Sequence, residues 1–376
     1  MKIRIIQLFI LSLFLWSGRA ISQEVPAYVF TSQTDVGLTP YKSGSEQSEC
    51  WILTTTGFLE AEILKAKNTA VEISDLAILH DYYRWKADLY IKGKGSFSFG
   101  PRGKPQDILF LIEQKGFFPP DGFVTAGTTP EQFPGEMIAA LKGTMSVVMK
   151  KNAGNFDQRW QDQFNATLHN YLGTPLDLVH SGDTKINPLQ YRDQFLPKPG
   201  DYITLTNIPG ETEYREIILE EPDNWNQNMS YNIPVHELTE VISQLLAKNH
   251  PVLWNGVLNQ DMFYARQNVV VLPEKKLQAS YNAPIPETKF NPEMRTALFG
   301  NFTQGSDSYL IISGKSVDQK NNVFFKAVNY CNKNIKGLNT MPVLLSQNVV
   351  MAKTISIVVN RNFLPPQLME KLGLAK

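Results

Sequence analysis

Cysteine is nearly absent: the 376 residues hold two, Cys50 and Cys331, so the chain is not a scaffold stapled by several bridges. Histidine is sparse as well. Of the five, none lies between His250 and the C-terminus. His80 reads as a structural residue of a helix, and His169 and His180 lack a second ligand at metal spacing, so neither a metal nor any other cofactor is expected. An excess of one charge is missing too, with 36 basic residues against 36 acidic ones and no basic run. That excludes the electrostatic footprint of a nucleic-acid binder. The apolar run at residues 5–16 is twelve residues long, where a membrane span takes about 20.

That short run follows Lys2 and Arg4 and precedes Ser-Gly-Arg-Ala-Ile-Ser. Charged, apolar and small-residue regions in this order read as a secretory signal peptide over residues 1–22, cut after Ser22. No cysteine stands near the cut, so a lipoprotein anchor is not indicated. The expected location is secreted or periplasmic, with no membrane attachment after cleavage. The remainder, residues 23–376, belongs to a chain that is 43% apolar, enough for a large core in one elaborated domain or two.

The stretch that organises the rest is residues 43–67, SGSEQSECWILTTTGFLEAEILKAK. Gly44, Ser45 and Ser48 are loop and capping types. Beyond them Ile52, Leu59 and Ile63 recur at helical spacing, with no proline before Pro101. Cys50 therefore falls in the first turn of a helix, where the positive end of the dipole and free backbone N–H groups favour thiolate over thiol. A buried small hydrophobe is the competing reading of a free cysteine, and position alone leaves both open.

This segment resembles the active-site helix of the papain-like cysteine peptidases, in particular the branch of bleomycin hydrolase and aminopeptidase C. Later segments resemble that branch in the same order: GKPQDILFLIEQKGFFP (103–119), TTPEQFPGE (128–136), NPLQYRDQFLPKPGDYITLTNIPG (187–210), YNIPVHELTEVISQLLAKNHPVLWNGV (231–257) and SDSYLIISGKSVDQKNNVFFKAVNYCN (306–332). The resemblance implies an α+β, two-lobed papain-like fold with a helical insertion. The helical lobe and insertion would take about residues 40–200 and the strand-rich lobe about 201–365 of a single peptidase domain, 23–376.

The family's acyl transfer needs a thiolate, an imidazole, an amide that orients the imidazole, and a side-chain amide at the oxyanion. By this resemblance Cys50 takes the nucleophile position and Asn329 that of the orienting asparagine. The oxyanion glutamine is replaced by Gly44, with Gln47 on the wrong part of the loop, and the histidine is replaced by Asp307. Reference pKa values of about 3.9 for a carboxyl and 8.5 for a thiol leave Asp307 too weak a base by about 6 kcal/mol. A carboxylate beside a thiol also opposes its ionisation. The tryptophan that would follow the asparagine is gone, with Tyr330 and Cys331 in its region.

The remaining chain supplies the frame. Residues 23–42 read as polar and extended along the surface. Helices are expected over 73–91 with Ser74 as cap, over 105–115 with Gly116 as stop, and over 136–148 and 155–172. Residues 92–105 read as a Gly-rich loop, with 97–103 a candidate cleft wall, and the acid-rich EYREIILEEPDN as a solvated strand and turn. Beyond residue 201 β-forming stretches dominate, with one amphipathic helix over 234–248 whose Leu238, Val241, Ile242 and Leu245 form the buried stripe. A bridge between Cys50 and Cys331 is conceivable in an oxidising compartment and would close the nucleophile; the favoured reading makes Cys331 packing material.

Two functions follow. The favoured one is an exported, catalytically impaired relative of these peptidases that holds a peptide or protein ligand in the old cleft. The other is an active cysteine-type aminopeptidase in which Cys50 recruits an unrecognised base. After the matching NRNFLPPQLMEKLG the sequence runs on only through Leu-Ala-Lys, so the branch's cleft-entering C-terminal arm is expected to be short or absent. A homo-oligomer is compatible with the resemblance, though the branch's hexameric chamber is not carried over.

Overall fold

The computed structural model describes residues 26–40, 42, 50–127, 134–151, 159–196, 198–278, 281–301, 307–330 and 342–375. The proposed signal peptide, Gly44 and Cys331 lie outside them. Helices dominate the first part: α1 (Cys50–Lys67), α2 (Asp75–Lys92), α3 (Pro105–Lys115), α4 (Pro134–Lys151), α5 (Arg159–Tyr171) and α6 (Pro188–Phe195). Three of their ends are written in single residues. Ser74 accepts from the Ala77 N–H to start α2, Pro105 opens α3, and Gly116, at φ 82°, stops it. Only glycine fits there, because a Cβ would stand 2.1 Å from the Pro188 carbonyl oxygen.

A strand, β1 (Thr31–Asp35), precedes α1, and two small two-stranded sheets, β2 (Phe123–Thr125) with β3 (Gly173–Pro175) and the hairpin β4 (Val179–Ser181) with β5 (Thr184–Ile186), decorate the helical part. The strand-rich part runs β6 (Tyr202–Thr206), β7 (Arg215–Ile218), β8 (Met229–Asn232), α7 (Val235–Ala247), β9 (Val252–Val257), β10 (Phe263–Tyr264) and β11 (Val269–Val270). It continues with α8 (Glu293–Gly300), β12 (Asp307–Val317), β13 (Val323–Val328), β14 (Val343–Ser346), α9 (Gln347–Lys353), β15 (Thr354–Asn360) and α10 (Pro366–Lys371). One eleven-stranded sheet takes the order β10-β11-β14-β13-β12-β9-β15-β6-β8-β7, with β1 added against β12. No helix of the described residues is long and apolar enough to cross a membrane.

The sheet separates two apolar cores by strict alternation. Leu253, Tyr309, Ile311 and Val358 face a core shared with α1, α2 and α3. Val252, Trp254, Leu310, Ile312 and Ile357 face the other, built on the Leu238, Val241, Ile242 and Leu245 stripe of α7. A period of two puts every second side chain on one face. Asp307 has the parity of Tyr309 and Ile311, and Asn255 that of Leu253, so both fall on the α1 side, the face that carries the candidate site.

Helix α1 is buried on all sides from Cys50 to Ile63. Its polar residues survive this because they are satisfied internally. Thr54, Thr55 and Thr56 each donate to the carbonyl four residues back. Gly57 lets the fully buried Tyr330 ring lie on the helix: a Cβ there would stand 2.5 Å from it.

Residues 23–42 depart from the surface reading. Ala27 and Tyr28 are buried in a third cluster with Tyr264, Val271 and Phe324, and residues 31–35 are a strand in register with β12.

Candidate functional site

Cys50 stands at the first residue of α1, 5% exposed and packed against Leu53. Its sulfur is in a disulfide. That corrects the reading of a free thiol. The sequence has one other cysteine, Cys331.

Asp307 begins β12, and its carboxylate is engaged on several sides. Asn255 Nδ2 donates to Oδ2 at 2.9 Å. Lys104 Nζ lies 3.8 Å from Oδ2 and Arg102 NH1 3.7 Å from Oδ1. Both cations come from the loop between α2 and α3, on the helical side of the sheet. They also hold two further carboxylates of the strand-rich part, Lys104 pairing with Glu221 and Arg102 with Asp223 at 3.4 Å. Glu221 and Asp223 are buried, which overturns the reading of EEPDN as a solvated turn. A clamp of two cations and three carboxylates thus spans the two lobes.

The loop that carries the cations is fixed from below. Trp51 Nε1 donates to the Pro101 carbonyl at 3.1 Å. Lys86 Nζ donates to the Gly100 and Arg102 carbonyls at 3.0 and 2.7 Å, and the Tyr82 hydroxyl also donates to Arg102 O. Gly103 has no room for a Cβ between Asp107, Tyr82 and Trp51. At the start of α3 the Asp107 carboxylate accepts from the Lys104 backbone N–H and from Asn228 Nδ2 of the opposite lobe. The 97–103 segment is a wall, as expected, but its carbonyls turn inward and its Arg102 side chain reaches across.

Burial sets the electrostatics of the clamp. It pushes the Glu221 carboxyl up to about 7 against the pull of Lys104, and the Asp107 carboxyl up to about 6. It pushes the Lys86 ammonium down to about 7. Three groups that titrate near neutrality in one region mark a candidate functional site.

Asn329 follows β13, buried between Val328 and Tyr330, both of which belong to the α1 core. The Tyr330 hydroxyl lies 2.7 Å from the Thr39 carbonyl oxygen, to which it donates, and Thr39 Oγ1 donates to Glu60 of α1.

None of the five histidines pairs with Asp307 among the described residues. His250 Nδ1 lies 2.9 Å from Glu62, and Glu62 is twelve residues past Cys50 on α1, about 18 Å along the helix axis. His80 is fully buried, stacked on His169 and edge-on to Phe123. His180 lies in the β4–β5 hairpin and His236 in α7, against the other core. Among the described residues no group of three or more His, Cys, Asp or Glu side chains could hold a metal ion.

The sequence reading missed Arg102, Lys104, Asn255, Glu221 and Asp223. The signals were two cations in a glycine- and proline-punctuated loop and two acids beside Pro222. Their pairing crosses more than 100 residues, and nothing local announces it.

Among known proteins, the structure is similar to that of PepW from Lactobacillus rhamnosis HN001, with a TM-score of 0.69 over 91% of this chain and 84% of that one at 12% identity. Digestive procathepsin L 3 of the Tenebrio molitor larval midgut aligns over 89% of this chain and 71% of that one at 9% identity, with a TM-score of only 0.33. No family model matches the sequence, and no curated protein does. The likeness to PepW establishes the papain-like α+β fold.

Proposed function

We propose that the chain is an exported member of the bleomycin hydrolase and aminopeptidase C branch that has lost peptidase activity and keeps the interlobe cleft as a binding site for a peptide or protein. The observation that carries this reading is the Cys50 disulfide, because a sulfur in a disulfide is no nucleophile. The company kept by Asp307 supports it. A carboxylate bonded to Asn255 and faced by two cations is held as an acceptor, and it is a poor proton shuttle for a thiol. A disulfide also suits the oxidising compartment to which a signal peptide would lead.

Alkylation after reduction tests the reading. Freed Cys50 is expected to react slowly with iodoacetamide and to titrate as an ordinary or buried thiol, with mass spectrometry locating the label. Rapid labelling at pH 6 would reveal an activated thiolate and return the chain to the active peptidases.

A further inference from the structure

A cavity of about 380 Å³ opens between the 98–102 loop, α4 and the turn at Pro222. Three cations line it: Lys86, Arg102 and Lys142. Asp223 is the one carboxylate among the described lining residues, and it is paired with Arg102. We propose that this cavity binds a carboxylate of the ligand, carried by an acidic side chain or a free C-terminus of a peptide; the inference rests on the reading of the cleft as a peptide site.

Lys86 is the most deeply buried of the three cations. It is 2% exposed, and its ammonium donates to the Tyr82 hydroxyl at 2.8 Å and to two carbonyls, with no carboxylate of the described residues in ion-pair reach. A buried cation without a counter-ion is costly, and this one faces a cavity. Arg102 has spare capacity as well. Its NH1 meets Asp223 and Asp307 only at 3.4 and 3.7 Å, which leaves the rest of the planar fork for a bidentate partner such as a carboxylate. Lys142 stands exposed at the rim of the cavity on α4 and makes no ion pair among the described residues. Trp225, Ile138 and Pro222 complete the walls with apolar surface for an aliphatic stem. The volume is near the lower end of ligand pockets, about 300–1,000 Å³, so it takes a side chain or chain end rather than a length of peptide.

Protonation sharpens the expectation. Lys86 is faced by Tyr82 on its own helix, by Asp107 on α3, by Asp223 and Arg102 on the loops, by Lys142 on α4, and by the Trp225 ring at 4.7 Å. In the free protein burial leaves its ammonium titrating at about 7. A bound carboxylate stabilises the charged form, so affinity is greatest below pH 7 and falls as the pH rises through it, with a proton taken up on binding above that point. Asp107, at about 6, loses its charge on further acidification, which acts in the same direction.

Calorimetric titration of the oxidised full-length protein with blocked alanine-glycine hexapeptides tests the proposal. One peptide carries central Glu, one Gln, one Lys, and a fourth is neutral but ends in a free carboxylate. At pH 6 the Glu peptide, the free-acid peptide or both should bind at least tenfold tighter than the Gln peptide, and the comparison of the two identifies the source of the carboxylate. That margin should shrink several-fold by pH 8.5. Lys142→Glu, an exposed change that leaves the fold intact, should remove most of it, and Lys86→Met should flatten the pH dependence. Equal affinity for all four peptides overturns the carboxylate site and leaves the peptide-binding cleft standing. Binding of none of them at either pH overturns the peptide reading and this inference with it.

Discussion

Two buried charge networks flank α1, and they are built to different standards. On one side Lys42 Nζ meets Glu60 at 2.6 Å, Asp75 at 3.1 Å, Thr56 at 3.2 Å and the Ile73 carbonyl at 2.9 Å. Glu60 in turn accepts from the Ile73 N–H and from Thr39. On the other side the clamp of Arg102, Lys104, Glu221, Asp223 and Asp307 leaves oxygen atoms of Glu221, Asp307 and Asn255 without a hydrogen-bond partner among the described residues. A satisfied network fixes structure; an under-satisfied one is retained where a site needs it. The first network anchors the segment that leads into α1. The second joins the helical part to the strand-rich part.

Mutations should separate the two. Lys42→Met strands the buried Glu60 and the half-buried Asp75 and should cost about 4 kcal/mol, read as a lowered urea midpoint at pH 7. Lys104→Met should cost about half as much, near 2 kcal/mol, because Glu221 can take up a proton. Equal losses for the two would erase the distinction.

The pH dependence sharpens it further. Glu221 is raised from 4.5 to about 7, so the folded state holds its proton more tightly than the unfolded chain does. The stability this contributes is fully present below about pH 4.5 and is lost as the pH rises towards 7. Glu221→Gln, which cannot ionise, should therefore gain on the wild type by about 3 kcal/mol between pH 4.5 and 7.5, as a growing difference between urea midpoints. A constant difference would contradict the assignment. The smallest effect expected is that of Tyr330→Phe, about 1 kcal/mol for the lost bond to Thr39, with the melting temperature as its measure.

The parts of the fold that could be read from the sequence are those decided by neighbouring residues. Ser74, Pro105 and Gly116 set helix ends through local backbone chemistry, and α7 declared itself by its apolar stripe. Strand β1 did not, since TSQTD is polar and mostly exposed and becomes a strand only by pairing with β12. The short helices α8, α9 and α10 were missed for the same reason, as a turn or two of helix held by tertiary packing carries little periodicity. At the site, sequence order drew attention to Cys50, Asp307 and Asn329, while Gly44 lies outside the described residues. The partners of Asp307 come from a loop 205 residues and a strand 52 residues away in sequence, at Arg102 and Asn255. The charged loops were visible as loops; that Arg102 and Lys104 would meet Glu221, Asp223 and Asp307 is a consequence of the folded chain alone.

The central claim is that this papain-like cleft binds without cutting. It is tested most directly by hydrolysis of a mixed panel of aminoacyl and blocked peptide fluorogenic substrates, with the protein fully reduced and Cys50→Ala as control. The account predicts turnover no greater than that of the control even with the disulfide open, because no base serves the thiol. Turnover that disappears in Cys50→Ala would contradict it and make the chain a working cysteine peptidase with its disulfide as the restraint.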